Sequence, residues 1–434
     1  MNDRQRITDL LDFIAASPTC FHAVKTIRGQ LLENGFRELS EDSLWQLQPG
    51  DCCFVRRNDS SLIAFRVPEG PLQSLKIAAA HTDSPCFKIK GLDPEIAVDG
   101  QYLKLNTEPY GGMLMAPWLD RPLSVAGRVV VRTPQGPESR LIHIDRELLL
   151  IPNVAIHMNR EVNKGKEYNP QIDLLPLFAE CGDPAEAGPL FRQLIAENAG
   201  VSDPEDLLSA DLFVYSRSPG SIWGANEEFF SAPRLDDLEC VYALSQGFLQ
   251  ALQGSAKGDG CLKILALFDN EEVGSRTPQG ADSTFVTDTL SRVREALAAP
   301  RQNWLAAAAR GWMISADNAH ALHPNHPELH DPQNHPVMNG GPVLKYTASQ
   351  RYATTAVSAA LFKELCRSAG VPCQEFYNRS DIPGGSTLGT IFDTHLSIRT
   401  VDIGLAQLAM HSPYETAGTR DLPMLIRVMK EFFA

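Results

Sequence analysis

The chain has 434 residues, enough for two or three domains, and its 43% hydrophobic and 21% charged content belongs to a folded globular protein, not a disordered or fibrous one. A formal net charge of -14 argues against a nucleic-acid groove or a surface for anionic membrane, which need clustered Lys and Arg, and leaves cation binding open. Nine scattered cysteines without a Cys-x-x-Cys pair fit reduced thiols; with no apolar signal core after Met1 and no membrane-length apolar run, the expected location is cytoplasmic.

Apolar residues at near-helical spacing predict helices over Ile7–Ala16 and Ala23–Asn34, the second stopped by Gly35, with His22 between them read as a capping or packed residue. Residues 52–57 and 61–67 predict paired strands around Asn58-Asp59. Leu75–Ala80 is a short apolar strand that runs out into His81-Thr82-Asp83. Residues two apart on extended chain share a face, so Asp83 can orient His81 from behind. A His-x-Asp is common by chance; its weight here comes from its place after a buried strand, where α/β sheets put their sites.

From residue 92 to 229 the texture changes to strands (Tyr102–Leu105, Val125–Arg132, Leu148–Leu150) among Gly- and Pro-rich connections. Helical signal there is confined to Pro189–Asn198 and the neighbourhood of Asp206. This predicts a β-rich domain at 92–229 inserted into an α/β domain formed by 1–91 and 230–434. His157 ends an apolar run in the insert and, from local sequence, reads as a packed or interface histidine.

The α/β pattern resumes near Ser231, and a helix with Val241, Leu244, Phe248 and Leu252 on its inner face follows Asp236-Asp237. That acidic pair either complements the helix dipole or supplies a carboxylate between two metals. Leu262–Leu267 predicts a buried strand ending in Phe268-Asp269-Asn270-Glu271-Glu272-Val273-Gly274. Two adjacent glutamates are costly to bury unless a metal or proton balances them, although an acidic turn is the commoner account of such a pair alone. Helices over Leu290–Ala299 and Trp304–Ala309 precede a strand, Gly311–Ala316, capped by Asp317 with His320, His323 and His326 beyond. A helix over Ala356–Ala369, a last strand over Leu396–Ile403 leading to His411, and a closing helix over Leu422–Phe433 complete the chain.

Strand ends and helix starts thus present His81, Asp83, Asp236, Glu271, Glu272, Asp317 and His411. Two imidazoles and three carboxylates suffice for a dinuclear site, leaving one carboxylate to orient a histidine and one to act as a base. Mixed N/O ligation suits Zn²⁺, with Co²⁺ or Mn²⁺ compatible. No His-Glu-x-x-His, Gly-x-Ser-x-Gly or Gly-x-x-x-x-Gly-Lys occurs, which removes the mononuclear zinc-protease, serine-hydrolase and P-loop layouts.

These segments, with Tyr110-Gly111-Gly112, Trp118, Asp120-Arg121 and Ile156-His157 of the insert, resemble the aspartyl aminopeptidase family of dinuclear-zinc exopeptidases over essentially the whole chain. The resemblance implies a mixed-sheet α/β catalytic domain with helices on both faces, an insert that dimerises, and two divalent metal ions per subunit. It implies that Asp236 bridges the metals, that His81 and Asp317 complete one site, and that Glu272 and His411 complete the other. Asp83 would fix His81, and Glu271 would be the general base. Lys345 would bind an acidic first side chain, with Tyr352 and His323 as further pocket residues and His157 reaching into a neighbouring subunit's site. A cis peptide is implied at Asp236-Asp237, and self-association into a tetrahedral dodecamer that admits short peptides.

The pocket loop Arg379-Ser380-Asp381-Ile382-Pro383-Gly384-Gly385-Ser386-Thr387 departs from eukaryotic relatives, which carry a cysteine before the Gly-Ser/Thr pair and an asparagine before the Asp. The departure lies beside the pocket expected to read the first side chain, so a broad-specificity aminopeptidase is the first alternative to strict aspartate preference. A related dinuclear deacylase or carboxypeptidase would use the same metal geometry but lacks this insert. A non-catalytic scaffold would have no need of an intact Glu271 or Asp236.

Overall fold

Alternating burial on a mixed β-sheet organises the first of two units in the computed structural model, which describes residues 3–181, 189–253 and 260–434. Residues 182–188 of the expected insert and 254–259 of the expected catalytic domain lie outside the described residues. The first unit comprises residues 1–83, 220–410 and 415–434.

In chain order its main sheet is Arg37–Leu39 (β1), Cys52–Arg57 (β2), Ser61–Arg66 (β3), Ser74–His81 (β4), Cys261–Phe268 (β5), Trp312–Ala316 (β6), Val343–Tyr346 (β7), Gln374–Tyr377 (β8) and Arg399–Gly404 (β9). The spatial order is β1-β2-β3-β5-β4-β6-β9-β7-β8. The strands β5, β4, β6 and β9 are mutually parallel, while β3 and β7 run against their neighbours β5 and β9. The β2–β3 hairpin pairs Arg57 with Ser61, and its three-residue loop begins with Asn58 and Asp59, both at positive φ (54° and 57°).

Successive side chains on these strands face opposite sides, and both sides are covered. Leu62, Ala64, Ala78, Leu265, Ile314 and Val401 pack with Asp3–Ala15 (α1), Cys20–Glu33 (α2), Leu235–Leu252 (α3), and the later helices Ala356–Ser368 and Asp421–Phe433. Ile63, Phe65, Ile77, Ile264, Ala266 and Met313 pack with Phe285–Ala296, Arg301–Arg310 and Leu388–Leu396. Each fully buried Leu, Ile or Phe contributes about 1.5–3 kcal/mol by leaving water. The helix α2 ends as its sequence predicts, with Gly35 just beyond it at φ 82°, a left-handed position that glycine fills without steric cost.

One expectation needs correcting. Leu396 does not begin the last strand of the main sheet; it ends the helix Leu388–Leu396, and β9 starts at Arg399. Leu388 and Phe392, one helical turn apart, are buried together, and this period is obscured in the sequence by the apolar residues running on into β9.

A smaller sheet in the same unit orders Ser221–Trp223, Phe229–Ala232, Glu415–Gly418, Ala406–Leu408 and Ala319–His320. It sets the residues just after Asp317 beside those around Gln407, and those beside Glu415.

The second unit comprises residues 84–219 and 411–414. An antiparallel sheet orders Gly136–His143, Leu123–Thr133, Leu207–Ser216, Cys86–Ile89 and Thr107–Tyr110, and a three-stranded sheet orders Leu177–Glu180, Tyr102–Leu105 and Glu95–Val98. Phe87, Trp118, Val125, Val129, Phe191 and Leu212 form its core. The unit starts before residue 92 because Cys86–Ile89 pairs with Leu207–Ser216; it stops before 229 because Phe229–Ala232 pairs with Glu415–Gly418 of the first unit. Among the described residues no helix is long and apolar enough to cross a membrane.

Candidate metal centre

The four parallel strands place their carboxyl ends along one edge of the main sheet. Phe268, the last residue of β5, lies opposite His81, the last of β4, and Asp317 directly follows β6. Side chains at this edge sit where the parallel strands end, so the register of the sheet brings them together.

His81 is buried, and its Nδ1 faces Asp83, 3.1 Å from the backbone carbonyl and 3.4 Å from Oδ1. That leaves Nε2 pointing at carboxylates, 3.4 Å from Asp236 Oδ1 and 4.0 Å from Asp237 Oδ2. Asp83 also holds the two glutamates. The backbone amide of Glu271 donates to its Oδ1 (3.1 Å) and that of Glu272 to its Oδ2 (3.2 Å). Glu271–Val273 is a single 3-10 turn between Asn270 (φ 63°) and Gly274 (φ 96°). The side-chain oxygen of Asn270 accepts from Thr277 Oγ1 and Gln279 Nε2, both at 2.8 Å, which fixes the loop.

Asp236 and Asp237 are joined by a cis peptide and have non-helical backbone angles, so the regular part of α3 begins after them. Asp237 is fully buried, and its Oδ2 accepts from the His81 amide at 3.2 Å. Asp317 is buried, with Lys345 Nζ 3.3 Å from its Oδ1. Lys345 is itself buried, 5.5 Å from the Tyr352 ring centroid.

His81, Asp236, Asp237 and Asp317, all buried, offer ligand atoms within 4.8 Å of one another, and so do His81, Glu271 and Glu272. Burial pushes the carboxyls of Asp237, Asp317, Glu271 and Glu272 up, and neighbouring carboxylates add to it. Glu271 rises to about 8, chiefly from burial, with Asp317, Asp83 and Asp236 adding to it against the pull of His81. Glu272 and Asp237 are held well above the usual carboxylate range, by burial first and by neighbouring carboxylates. Burial opposes the His81 charge, but Asp237, Asp236 and Asp83 outweigh it and hold its pKa well above the usual range. A set of carboxylates this dense, balanced among the described residues by His81 and Lys345, fits a divalent cation as the missing positive charge.

Of the remaining sequence candidates, His323 is half-buried in the first unit; its Nδ1 accepts from the Asn325 amide at 3.2 Å, and its own amide donates to His330 Nε2 at 3.1 Å. His411, at φ 66°, opens the four-residue segment that belongs to the second unit, bonded to Met410 of the first. His157 lies in the second unit within the exposed stretch Pro152–Met158, where Met158 is 82% exposed.

Three residues gain meaning only from the structure. Asp237 faces the cluster and holds the backbone amide of His81, a role its adjacency to Asp236 alone does not reveal. Asp402, fully buried, accepts from Thr387 Oγ1 at 2.7 Å and from the Ala353 amide, tying the end of the pocket loop to β9. Glu415 accepts from the Asp236 amide at 3.0 Å.

A strand-end cluster of one histidine and several carboxylates on a mixed α/β sheet defines a metallohydrolase of the zinc-exopeptidase type. The model of the aminopeptidase I zinc metalloprotease (M18) family matches residues 13–433, so the chain belongs to that family of metallo-aminopeptidases. A "Probable M18 family aminopeptidase 2" of Clostridium acetobutylicum is 46% identical over 436 aligned positions, covering 100% of this chain and 99% of the relative. Its namesake in Clostridium novyi is 45% identical over 429 positions, 98% of each chain. Among solved structures, the complex of Ape4 and Nbr1 superposes with a TM-score of 0.95 at 34% identity, over 99% of this chain and 86% of that one. The mApe1 dodecamer of S. cerevisiae gives 0.85 at 27%, over 98% and 95%.

Proposed function

We propose that this chain is a dinuclear-metal aminopeptidase that removes an N-terminal acidic residue, Asp or Glu, from short peptides. The observation that carries the reading is the buried set His81, Asp236, Asp237 and Asp317 with Glu271 and Glu272 adjoining it.

Two divalent ions, Zn²⁺ first with Co²⁺ or Mn²⁺ compatible, would polarise the scissile carbonyl and bring the pKa of a bound water toward ~7. Asp236 would serve both ions, His81 and Asp317 one, and Glu272 and His411 the other. Asp83 keeps His81 in the tautomer that frees Nε2, and through the amides of Glu271 and Glu272 it sets the base and a ligand in one register. Glu271 accepts a proton from the attacking water and returns it to the leaving amine. In this reading Glu271, unlike Glu272, is not used as a ligand, which leaves its carboxylate to act as the base.

Lys345 supplies the local positive charge that the net charge of -14 lacks, and would meet the acidic side chain with Tyr352 against it and His323 at the rim. His157, on its exposed turn, would reach the site of a neighbouring subunit and donate to the developing oxyanion. Exposure of Val154, Ile156 and Met158 around it favours a surface that a second copy covers. Dimerisation through the second unit, and a tetrahedral dodecamer like the dodecameric mApe1, follow from this reading. A cytoplasmic location is in keeping with nine free cysteines.

The Lys345–Asp317 pair favours one second reading, a broad-specificity aminopeptidase, because an ammonium already engaged by a ligand carboxylate has less to offer a substrate. Hydrolysis of Asp-, Glu-, Leu- and Lys-p-nitroanilide at defined metal content decides between them. Cleavage confined to the Asp and Glu substrates and lost with chelator is expected. Cleavage led by the Leu substrate would keep the metal chemistry and overturn the acidic preference; no cleavage by metal-loaded protein would overturn both.

A further inference from the structure

The peptide unit that precedes the cluster's central aspartate is gripped at both of its polar ends by buried side chains. The carbonyl of Leu235 accepts from Asn318 Nδ2 at 3.1 Å, and the amide of Asp236 donates to Glu415 Oε2 at 3.0 Å. Gln407 closes the ring between the two grips: its Oε1 accepts from Asn318 Nδ2 (3.0 Å), and its Nε2 donates to Glu415 Oε1 (3.4 Å). Asn318, Gln407 and Glu415 are each only 1% exposed. Gln407 and Glu415 lie on adjoining strands of the smaller sheet, and Asn318 stands between Asp317 and the sheet's strand Ala319–His320.

The ring has a fixed direction. Asn318 Oδ1 accepts from the Leu405 amide (3.4 Å) and from Cys240 Sγ (3.2 Å), so Nδ2 must turn toward Leu235, Gln407 and Glu239 Oε2 (3.4 Å). At the other end the carboxylate of Glu415 is acceptor-only and receives both the Asp236 amide and Gln407 Nε2. Gln407 can therefore sit one way only.

We propose that Glu415, Gln407 and Asn318 form a directional clamp of positioning residues that holds the Leu235–Asp236 peptide so that the Asp236 carboxylate meets the metal. The proposal rests on the metal-centre reading above. Groups that orient ligands are worth ~10- to 100-fold in metal affinity, and that is the effect expected here.

Donor and acceptor counting gives the test. In Glu415→Gln the new side-chain amide must turn its oxygen to the Asp236 N–H and its NH₂ toward the NH₂ of Gln407. Turning Gln407 moves the same conflict to Asn318. The double variant Glu415→Gln/Gln407→Glu restores every link. The amide introduced at position 415 accepts from the Asp236 N–H and donates to the carboxylate introduced at position 407, which also accepts from Asn318.

Zinc affinity of the full chain, measured by competition with a chelating dye, should fall ~10- to 100-fold in Glu415→Gln and return to near the wild-type value in the double variant. A requirement for negative charge or for packing at position 415 alone would not be met by the swap. Wild-type affinity in Glu415→Gln, or a double variant no better than the single one, overturns the clamp. Should Glu415→Gln fail to fold, Gln407→Ala removes the link and keeps both grips; unchanged zinc affinity there overturns the clamp as well. A wild-type chain that binds no zinc in the same assay overturns the metal reading, and the clamp with it.

Discussion

Lys345 Nζ stands 3.3 Å from Asp317 Oδ1, and both groups are buried. The residue proposed to read the substrate's acidic side chain is thus also the counter-charge of a proposed metal ligand. Burial disfavours the Lys345 charge, yet Asp317, Tyr352 and Asp402 outweigh burial and hold its pKa above the ordinary lysine value, so it stays cationic.

Lys345→Met separates the two roles. An ammonium competes with a metal ion for the Asp317 carboxylate, so its loss should leave zinc affinity unchanged or tighter. The contact with an acidic side chain would be lost, and removing one partner of a buried charge pair costs roughly 2–5 kcal/mol. The expected outcome is a fall of about 10² or more in kcat/KM for Asp-p-nitroanilide with a much smaller change for the Leu substrate. Equal losses on both substrates would mean that Lys345 acts through Asp317 alone.

Glu271→Gln keeps the shape of the side chain and removes its ability to take a proton. The amide of residue 271 still donates to Asp83, so the turn that presents Glu272 should survive. Turnover should drop roughly 10²- to 10⁴-fold with zinc stoichiometry unchanged, measured by kinetics and metal analysis on the same sample. Near-normal turnover would remove the base assignment, and loss of zinc would reassign Glu271 as a ligand.

Much of the site is legible in the sequence because the chemistry stands where strands stop. Leu75–Ala80 and Leu262–Phe268 are short apolar runs, and the polar residues that follow each run have no packing role to explain them. The parallel register that sets Phe268 opposite His81 turns two distant stretches into one edge, and only long-range pairing creates it. Asp237 and Glu415 are not legible for the same reason: each acts through a backbone amide, the first through that of His81 and the second through that of Asp236. Backbone partners leave no residue pattern. Asp402 escapes notice because it sits inside an apolar strand, where a single carboxylate has no periodicity to mark it.

Away from the metal cluster, Asp421 gives a pH prediction. It lies in the first turn of Asp421–Phe433, accepts from the amides of Gly341 (2.8 Å) and Asn339, and is fully buried. Burial outweighs those bonds and pushes its carboxyl up to about 7 from an ordinary 3.8. Between these values the folded chain holds a proton that the unfolded chain has released, so this residue's contribution to stability falls as pH rises through the window and is level above it. Asp421→Asn removes the titration and one acceptor. The thermal midpoint of the wild type should exceed that of the variant most near pH 5, and the gap should narrow toward about pH 7.5. A gap constant across that range would place the Asp421 pKa outside it.

His157 and Glu271 should act in different subunits of one site, which can be tested by mixing. His157→Phe alone should lower turnover while leaving zinc content intact, because the residue lies on an exposed turn far in sequence from every proposed ligand. Removing one donor to a developing oxyanion costs roughly 10²–10³ in kcat. Glu271→Gln alone should be nearly inactive. If His157 serves a neighbour, co-assembly of the two variants creates some sites with an intact His157 from one chain and an intact Glu271 from the other, and activity returns. If His157 serves its own chain, each mixed site still contains a defect and activity stays at the sum of the two variants. Recovery upon dissociating and reassembling the mixture, absent when each variant is treated separately, is the outcome that would establish a shared site; its absence, with mixed oligomers verified by mass, would confine His157 to its own subunit.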